Sequence, residues 1–61
     1  MLKLKEFRKK NDYTQRYIAF KVGVSQQTIA KWEKGTVTPS IPHLLRLAAV
    51  IGCKLEDLII Q

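Results

Sequence analysis

The sequence has few of the features that mark disulfide-bonded, metal-binding, exported or membrane proteins. It contains one cysteine, Cys53, and one histidine, His43, so an internal disulfide and a set of Cys and His metal ligands are both excluded. Its longest apolar run, residues 47–51, is far too short to cross a bilayer, and no signal-peptide hydrophobic stretch follows the basic N-terminus. We therefore expect a cytoplasmic protein without membrane association, metal or cofactor, stabilised by packing alone.

Side chains suited to catalysis are equally scarce. His43 and Cys53 flank one apolar segment, and no third ligand, general base or oxyanion donor accompanies them. We therefore expect that the protein is not an enzyme. Cys53 should pack as a small apolar residue, and His43 should be exposed in the first turn of its helix.

Only three glycines and two prolines interrupt the chain, and the glycines separate segments of helical length. Gly23, Gly35 and Gly52 are placed as helix-terminating residues, and no alternation typical of strands competes. A chain of 61 residues has enough apolar surface for one core, which predicts a single domain, 1–61. The pattern indicates a compact all-α fold of five helices at about 2–10, 14–22, 25–34, 40–51 and 55–60.

Hydroxyl-bearing residues begin three of these helices. Thr14, Ser25 and Ser40 can each accept a hydrogen bond from a first helical turn, and Pro42 fits in the first turn of the fourth helix. Asn11 and Asp12 should end the first helix, because both residue types tolerate left-handed backbone. Apolar residues at helical spacing predict a core of Leu4, Phe7, Ile18, Ala19, Val22, Ile29, Trp32, Ile41, Leu44, Leu45, Ala48 and Ile51.

Acidic residues are also few. Five acids against eleven lysines and arginines give a net charge of +6. Nine of the basic residues and three of the acids lie in 1–34, whereas 35–61 is neutral. A basic half suits a polyanionic partner, but a merely solvated surface has the same composition, so charge alone leaves both interpretations open.

The third predicted helix has two contrasting sides. On a helical wheel, Ile29 and Trp32 lie on the inner side, together with Ser25, Thr28 and Glu33. The outer side carries two amides, two ammonium groups and no acid, on Gln26, Gln27, Ala30, Lys31 and Lys34. Gln can bond adenine N6 and N7 in the major groove, and Lys can reach guanine or a phosphate. An ordinary exposed helix face is also polar, so this face alone has two equal interpretations.

The spacing around this helix favours DNA. Ala19 permits close helix crossing, Gly23 permits a tight turn, and Val24 fills the gap between two helices. The sequence resembles the Cro and phage-repressor (Xre-like) helix-turn-helix family in TQRYIAFKVGVSQQTIAKWEKG (14–35), Pro39-Ser40 and Ile51-Gly52.

The resemblance implies a five-helix repressor-like domain that binds double-stranded operator DNA as a two-fold homodimer. It implies base contacts from Gln26, Gln27 and Lys31. Phosphate contacts are expected from Gln15, Ser25, Lys34 and the loop backbone around Thr36 and Thr38. Arg8 and Glu33 match a family pair that forms a largely buried salt bridge between the first and third helices. We therefore expect a sequence-specific regulator, a repressor on an inverted-repeat operator.

Two features bear on other partners. Leu58, Ile59 and Ile60 carry more apolar area than a short fifth helix can bury, which predicts a dimer surface near that helix and the loop before it. Tyr17 and Phe20 stand where the family usually has polar residues, and they either shield the core or contact a partner protein. The alternative function is therefore a protein-interaction module, or an antitoxin-like domain with secondary DNA binding. Lys54 replaces the usual Ser or Thr cap of the fifth helix, so a frayed start is expected there.

Overall fold

Five helices follow one another in the computed structural model, which describes residues 2–59. They are α1 (Leu4–Lys10), α2 (Gln15–Val22), α3 (Gln26–Lys34), α4 (Ile41–Ile51) and α5 (Leu55–Leu58). Within the described residues the only β-type pairing is an isolated antiparallel bridge between Leu2 and Ile59. The predicted all-α, five-helix fold is confirmed. No helix in this part of the chain is both long enough and apolar enough to span a membrane.

The helix ends of the central pair form as the sequence predicts. Thr14 Oγ1 accepts the Tyr17 N–H at 3.0 Å, and Ser25 Oγ accepts the Thr28 N–H at 3.1 Å, so both hydroxyls satisfy first-turn donors. Gly23 ends α2 in the left-handed region at a φ of 89°. Asp12 also has a positive φ, 58°, as expected for the residue that turns the chain after α1.

The core lies where α2, α3 and α4 meet, with α1 packed on α3 and α5 on α4. Its members are buried apolar side chains from every helix: Leu4, Ile18, Ala19, Val22, Ile29, Trp32, Leu44, Leu47, Ala48, Ile51 and Leu58. Phe7 is only partly buried against this cluster.

The prediction for α4 is wrong at two core positions. Ile41 is 62% exposed and Leu45 is 53% exposed, whereas Leu47, which the prediction omitted, is fully buried. The buried stripe of α4 follows Leu44, Leu47, Ala48 and Ile51, and Ile41 and Leu45 project about 60–100° to one side of it. Apolar composition alone therefore extended the core face too far around the helix.

The chain ends also differ from prediction. The Lys3 N–H donates to the Leu58 carbonyl at 2.8 Å, so α1 begins at Leu4 instead of residue 2. At the other end Ile59 has extended backbone, so α5 ends at Leu58. No side chain caps the start of α5 at Lys54, as expected. The predicted end at Ile60 lies outside the described residues.

The first turn of α4 shows a further difference. Ser40 makes no cap bond to backbone; its Oγ lies 2.9 Å from His43 Nδ1. His43 is half-buried, with its ring centroid 5.2 Å from that of Trp32, so the expectation of an exposed histidine is wrong. The imidazole therefore lies close to the buried indole, with 47° between the two ring planes.

Candidate nucleic-acid interface

The outer face of α3 is an exposed polar surface on a firmly held helix. Gln26, Gln27, Lys31 and Lys34 are exposed, and Ala30 between them is half-buried. On the opposite side Ile29 is fully buried and Trp32 is 4% exposed. The outer face carries no acid, so it presents only amide and ammonium groups to a partner.

At the start of α3, Ser25 already takes part in local hydrogen bonds. Its Oγ accepts the Thr28 N–H and lies 2.9 Å from Thr28 Oγ1. If Thr28 donates within this hydroxyl pair, the Ser25 proton is left for an external acceptor.

A hydrogen-bonded network ties α1, α2 and α3 together behind this face. Arg8 Nε and Glu33 Oε2 are 2.7 Å apart, with side chains 12% and 4% exposed, so the predicted salt bridge is present and largely buried. Arg8 also donates from Nη2 to Glu33 Oε1 at 3.2 Å and from Nη1 to the Tyr13 carbonyl at 2.9 Å. The sequence did not reveal the fourth bond, from Gln15 Nε2 to Glu33 Oε1 at 3.0 Å. This bond leaves one N–H of the Gln15 amide for a ligand.

The loop after α3 differs in part from the expectation of backbone contacts. The Thr36 N–H donates to the Lys31 carbonyl at 3.0 Å and is therefore already occupied. Among residues 2–59, no hydrogen-bond partner takes the Thr38 N–H. Both threonines are exposed, two and four residues after Lys34 in the sequence.

The turn between α2 and α3 fixes the angle at which α3 is presented. Gly23 N–H and Val24 N–H both donate to the Ala19 carbonyl, at 2.8 and 3.0 Å, and Val24 packs against the core. Arg46 Nη1 donates to the Val22 carbonyl at 3.3 Å, a contact from α4 that the sequence reading missed. Ala19 is buried at the helix crossing, which agrees with the close packing predicted there.

The family model for helix-turn-helix proteins matches residues 4–58. The chain belongs to the Cro and phage-repressor (Xre-like) helix-turn-helix family. An uncharacterized HTH-type transcriptional regulator of Archaeoglobus fulgidus is 41% identical over 58 residues, which cover 95% of this chain and 82% of that protein. A second uncharacterized HTH-type regulator, from Methanocaldococcus jannaschii, is 43% identical over 58 residues, with 95% and 88% covered.

A solved structure agrees with the family assignment. The N-terminal DNA binding domain of SinR from Bacillus subtilis matches with a TM-score of 0.83 at 29% identity, covering 95% of this chain and 86% of that one. This helix-turn-helix family comprises DNA-binding transcriptional regulators and is not an enzyme family. In this helix-turn-helix domain, α2 and α3 are the two helices that the sequence predicts as the motif, joined by the turn at residues 23–25.

Cys53, considered above as a possible metal ligand or nucleophile, packs against the core of this domain. Cys53 is half-buried against the core, and burial, followed by the negative charge of Asp57, raises the pKa of its thiol above the ordinary value. Residues 2–59 contain no cluster of three or more His, Cys, Asp or Glu side chains able to hold a metal ion.

The two unusual aromatic residues on α2 are exposed. Phe20 is 80% exposed and shields nothing, whereas Tyr17 is 40% exposed and stacks on the half-buried Tyr13, with ring centroids 4.8 Å apart. Lys21 Nζ lies 5.7 Å from the centre of the Tyr17 ring. Shielding agrees with the position of Tyr17, whose neighbour Tyr13 packs against the core, and does not agree with the exposure of Phe20.

Proposed function

We propose that this helix-turn-helix protein is a cytoplasmic, sequence-specific repressor that reads operator DNA through Gln26, Gln27 and Lys31. The observation that carries the proposal is the acid-free outer face of α3, whose inner side is locked by Ile29 and Trp32. At nine residues α3 is about 13 Å long, comparable with the roughly 12 Å width of the major groove. Gln amides would bond adenine edges and the Lys31 ammonium a guanine edge.

Phosphate contacts would set the position of α3 without reading sequence. Gln15 is held by Glu33 and retains an amide N–H, which supports a role for it as a phosphate donor. Ser25, Lys34, Thr36 and Thr38 would complete this set. Because the Thr36 N–H is occupied, Thr36 would contribute its hydroxyl, whereas Thr38 would contribute its hydroxyl or its N–H.

A homodimer on an inverted-repeat operator accounts best for the exposed apolar residues near the end of the motif. The predicted dimer surface near α5 has less support, since Leu58 is fully buried and Ile59 is half-buried, and Ile60 lies outside the described residues. Val37, Ile41 and Leu45 are 45%, 62% and 53% exposed instead.

Ile41 and Leu45 lie about one turn apart on α4, and Val37 lies in the loop before that helix; we call these three residues the apolar stripe. Val37 also lines a groove of about 420 Å³, together with residues that include Pro39 and Leu44. We assign this stripe to a second copy of the chain, because a two-fold partner would bring an identical apolar stripe against it.

Two copies would place their α3 helices in successive major grooves about 34 Å apart. Three large side chains bury far less than the roughly 800 Å² per partner of a standard interface, so dimerisation should be weak without DNA. Ile41→Asp should then abolish cooperative binding to the full operator while leaving half-site binding intact, as measured by mobility shift. Unchanged cooperativity would remove α4 from the dimer contact.

Selection of bound sequences from a random DNA library tests the central proposal. The winner and a scrambled duplex are then titrated at two salt concentrations. The expected result is an inverted repeat bound at least about a thousand-fold more tightly than the scrambled control. Salt-sensitive binding without a preferred sequence would refute sequence-specific regulation. Transcription from a promoter carrying the selected site should fall when the protein is present, and a rise would refute repression.

A second candidate function, contact with a partner protein, is favoured by the exposure of Phe20. Arg16 and Lys21 are exposed on the same helix, and no acid occurs between Asp12 and Glu33, so the complementary partner would present acidic residues around an apolar pocket. An antitoxin-like protein would combine such a contact with DNA binding.

Phe20→Ser tests this candidate directly. The substitution should leave the fold and operator affinity unchanged, while abolishing binding of the purified partner that copurifies with the unmodified chain. Loss of operator affinity would assign Phe20 to the DNA interface and refute the candidate.

A further inference from the structure

A concavity of about 290 Å³ lies beside α3 and includes a residue of α1. It is lined by Lys5, Gln15, Ala30, Glu33 and Lys34, which come from three different helices. Lys5 has no place among the contacts described above. It is exposed, and its ammonium group is on a flexible stem, so it can adjust to a ligand in this space.

The charge of this concavity favours an anion. Glu33 contributes a carboxylate, but Arg8 pairs with it at 2.7 Å and donates a second bond at 3.2 Å, which neutralises that charge. Lys5 and Lys34 then remain as two positive charges, because the lining contains no acid other than the Glu33 already paired with Arg8.

The Gln15 side-chain amide, a neutral group in the concavity, can also donate a hydrogen bond to an anion. Gln15 donates one amide N–H to Glu33, which orients its side chain. The second amide N–H stays available to donate a hydrogen bond to a ligand. Gln15 is the first residue of the eight-residue α2, and the positive end of that helix adds to the attraction.

We infer that this concavity binds one phosphodiester group of the DNA backbone and that Lys5 is one of its ligands. The inference rests on the proposed function, because it presumes that the outer face of α3 lies in a major groove. A phosphodiester has two charged, non-bridging oxygens that can accept from several donors at once, which matches one amide N–H between two ammonium groups. The consequence is that α1, outside the helix-turn-helix motif, contacts DNA and holds the same phosphate as Gln15.

Lys5→Gln, compared with Lys10→Gln, tests the inference by the salt dependence of operator binding. Both residues are exposed on α1 and both substitutions remove one charge, but Lys10 is about 140° further around the helix and does not line the concavity. Lys5→Gln should reduce the slope of log K against log salt by about 0.9, because one phosphate contact fewer releases fewer counterions. Between 50 and 200 mM salt the unmodified chain should therefore lose about 3.5-fold more affinity than Lys5→Gln.

Lys10→Gln should leave that slope unchanged, and both variants should melt as the unmodified chain does. The selected base preference should also stay the same in both. Equal slopes for Lys5→Gln and the unmodified chain, with specific binding intact, would overturn the inference while leaving the proposed function standing. Absence of specific binding by the unmodified chain would instead refute the proposed function itself.

Single methylphosphonate substitutions along the operator identify the phosphate involved. At one backbone position the neutral linkage should equalise the affinities of the unmodified chain and Lys5→Gln, because the contact that distinguishes them is already absent. The same position should equalise the unmodified chain and Gln15→Ala. Two different positions, or none, would show that Lys5 and Gln15 do not share a phosphate.

Discussion

Replacing Glu33 with alanine should destabilise the domain by about 3–5 kcal/mol, the usual cost of removing one partner of a buried ion pair. The substitution removes the acceptor of two Arg8 bonds and of the Gln15 amide, at a side chain that is 4% exposed. Arg8, at 12% exposure, then keeps its bond to the Tyr13 carbonyl but loses its counter-charge. The remaining cationic group is too buried for water to replace what was lost.

That cost is large for a chain of this size. At roughly 0.05–0.15 kcal/mol per residue, 61 residues give a total free energy of unfolding of about 3–9 kcal/mol. The melting temperature of Glu33→Ala should fall by roughly 12–40 °C, measured by far-ultraviolet circular dichroism. Glu6→Ala, which removes an exposed acid from α1, is the matched control and should change stability by less than about 1 kcal/mol.

A double substitution distinguishes the loss of the attraction between Arg8 and Glu33 from the cost of leaving Arg8 buried without a counter-charge. Arg8→Met with Glu33→Leu removes both charges and keeps apolar volume, so it should recover most of the stability that Glu33→Ala loses. A Glu33→Ala melting temperature within a few degrees of the unmodified chain would refute the reasoning, because it would show that the pair contributes no more than a surface ion pair.

Three further predictions concern separate parts of the molecule. Gln27→Ala should weaken operator discrimination at one base pair by about 1–3 kcal/mol without changing the melting temperature, and unchanged preference in a repeated sequence selection would remove it from the reading face. Gly23→Ala should cost about 1–2 kcal/mol in urea unfolding through backbone strain at a φ of 89°, since its Cβ would meet only Arg46 Nη1 at an ordinary 3.9 Å; an unaltered midpoint would contradict this. Because its pKa is raised, Cys53 should react more slowly with iodoacetamide at neutral pH than a free thiol, and equal rates would count against burial of the thiol.

Helix number and the central helix ends were predictable because they depend on neighbours in sequence. Thr14 and Ser25 cap donors three residues ahead, and Gly23 needs only its own backbone conformation to end a helix. The two sides of α3 were predictable for the same reason, since a helix converts spacing into direction.

Contacts between distant segments were not predictable from spacing. The bond from Gln15 to Glu33 joins residues 18 apart, and the Leu2 pairing with Ile59 joins the two ends of the chain. Exposure of Ile41 was missed because its apolar side chain lies at the edge of the α4 stripe, where the neighbouring elements decide whether it is covered. The sequence does not place Lys5 in the candidate site, because the concavity that it lines forms only where three helices meet.

The network around Glu33 links folding and DNA contact through one carboxylate. Glu33 fixes α1 to α3 through Arg8 and orients the Gln15 amide, so removing it affects stability and the proposed phosphate contact together. Replacing Gln15 should affect stability less, because Arg8 keeps both of its hydrogen bonds to Glu33 when the Gln15 amide is absent. A substitution at Gln15 can therefore change DNA affinity with little effect on the fold. A substitution that removes the Glu33 charge leaves Arg8 without its partner, so it keeps the fold stable only if Arg8 is replaced as well.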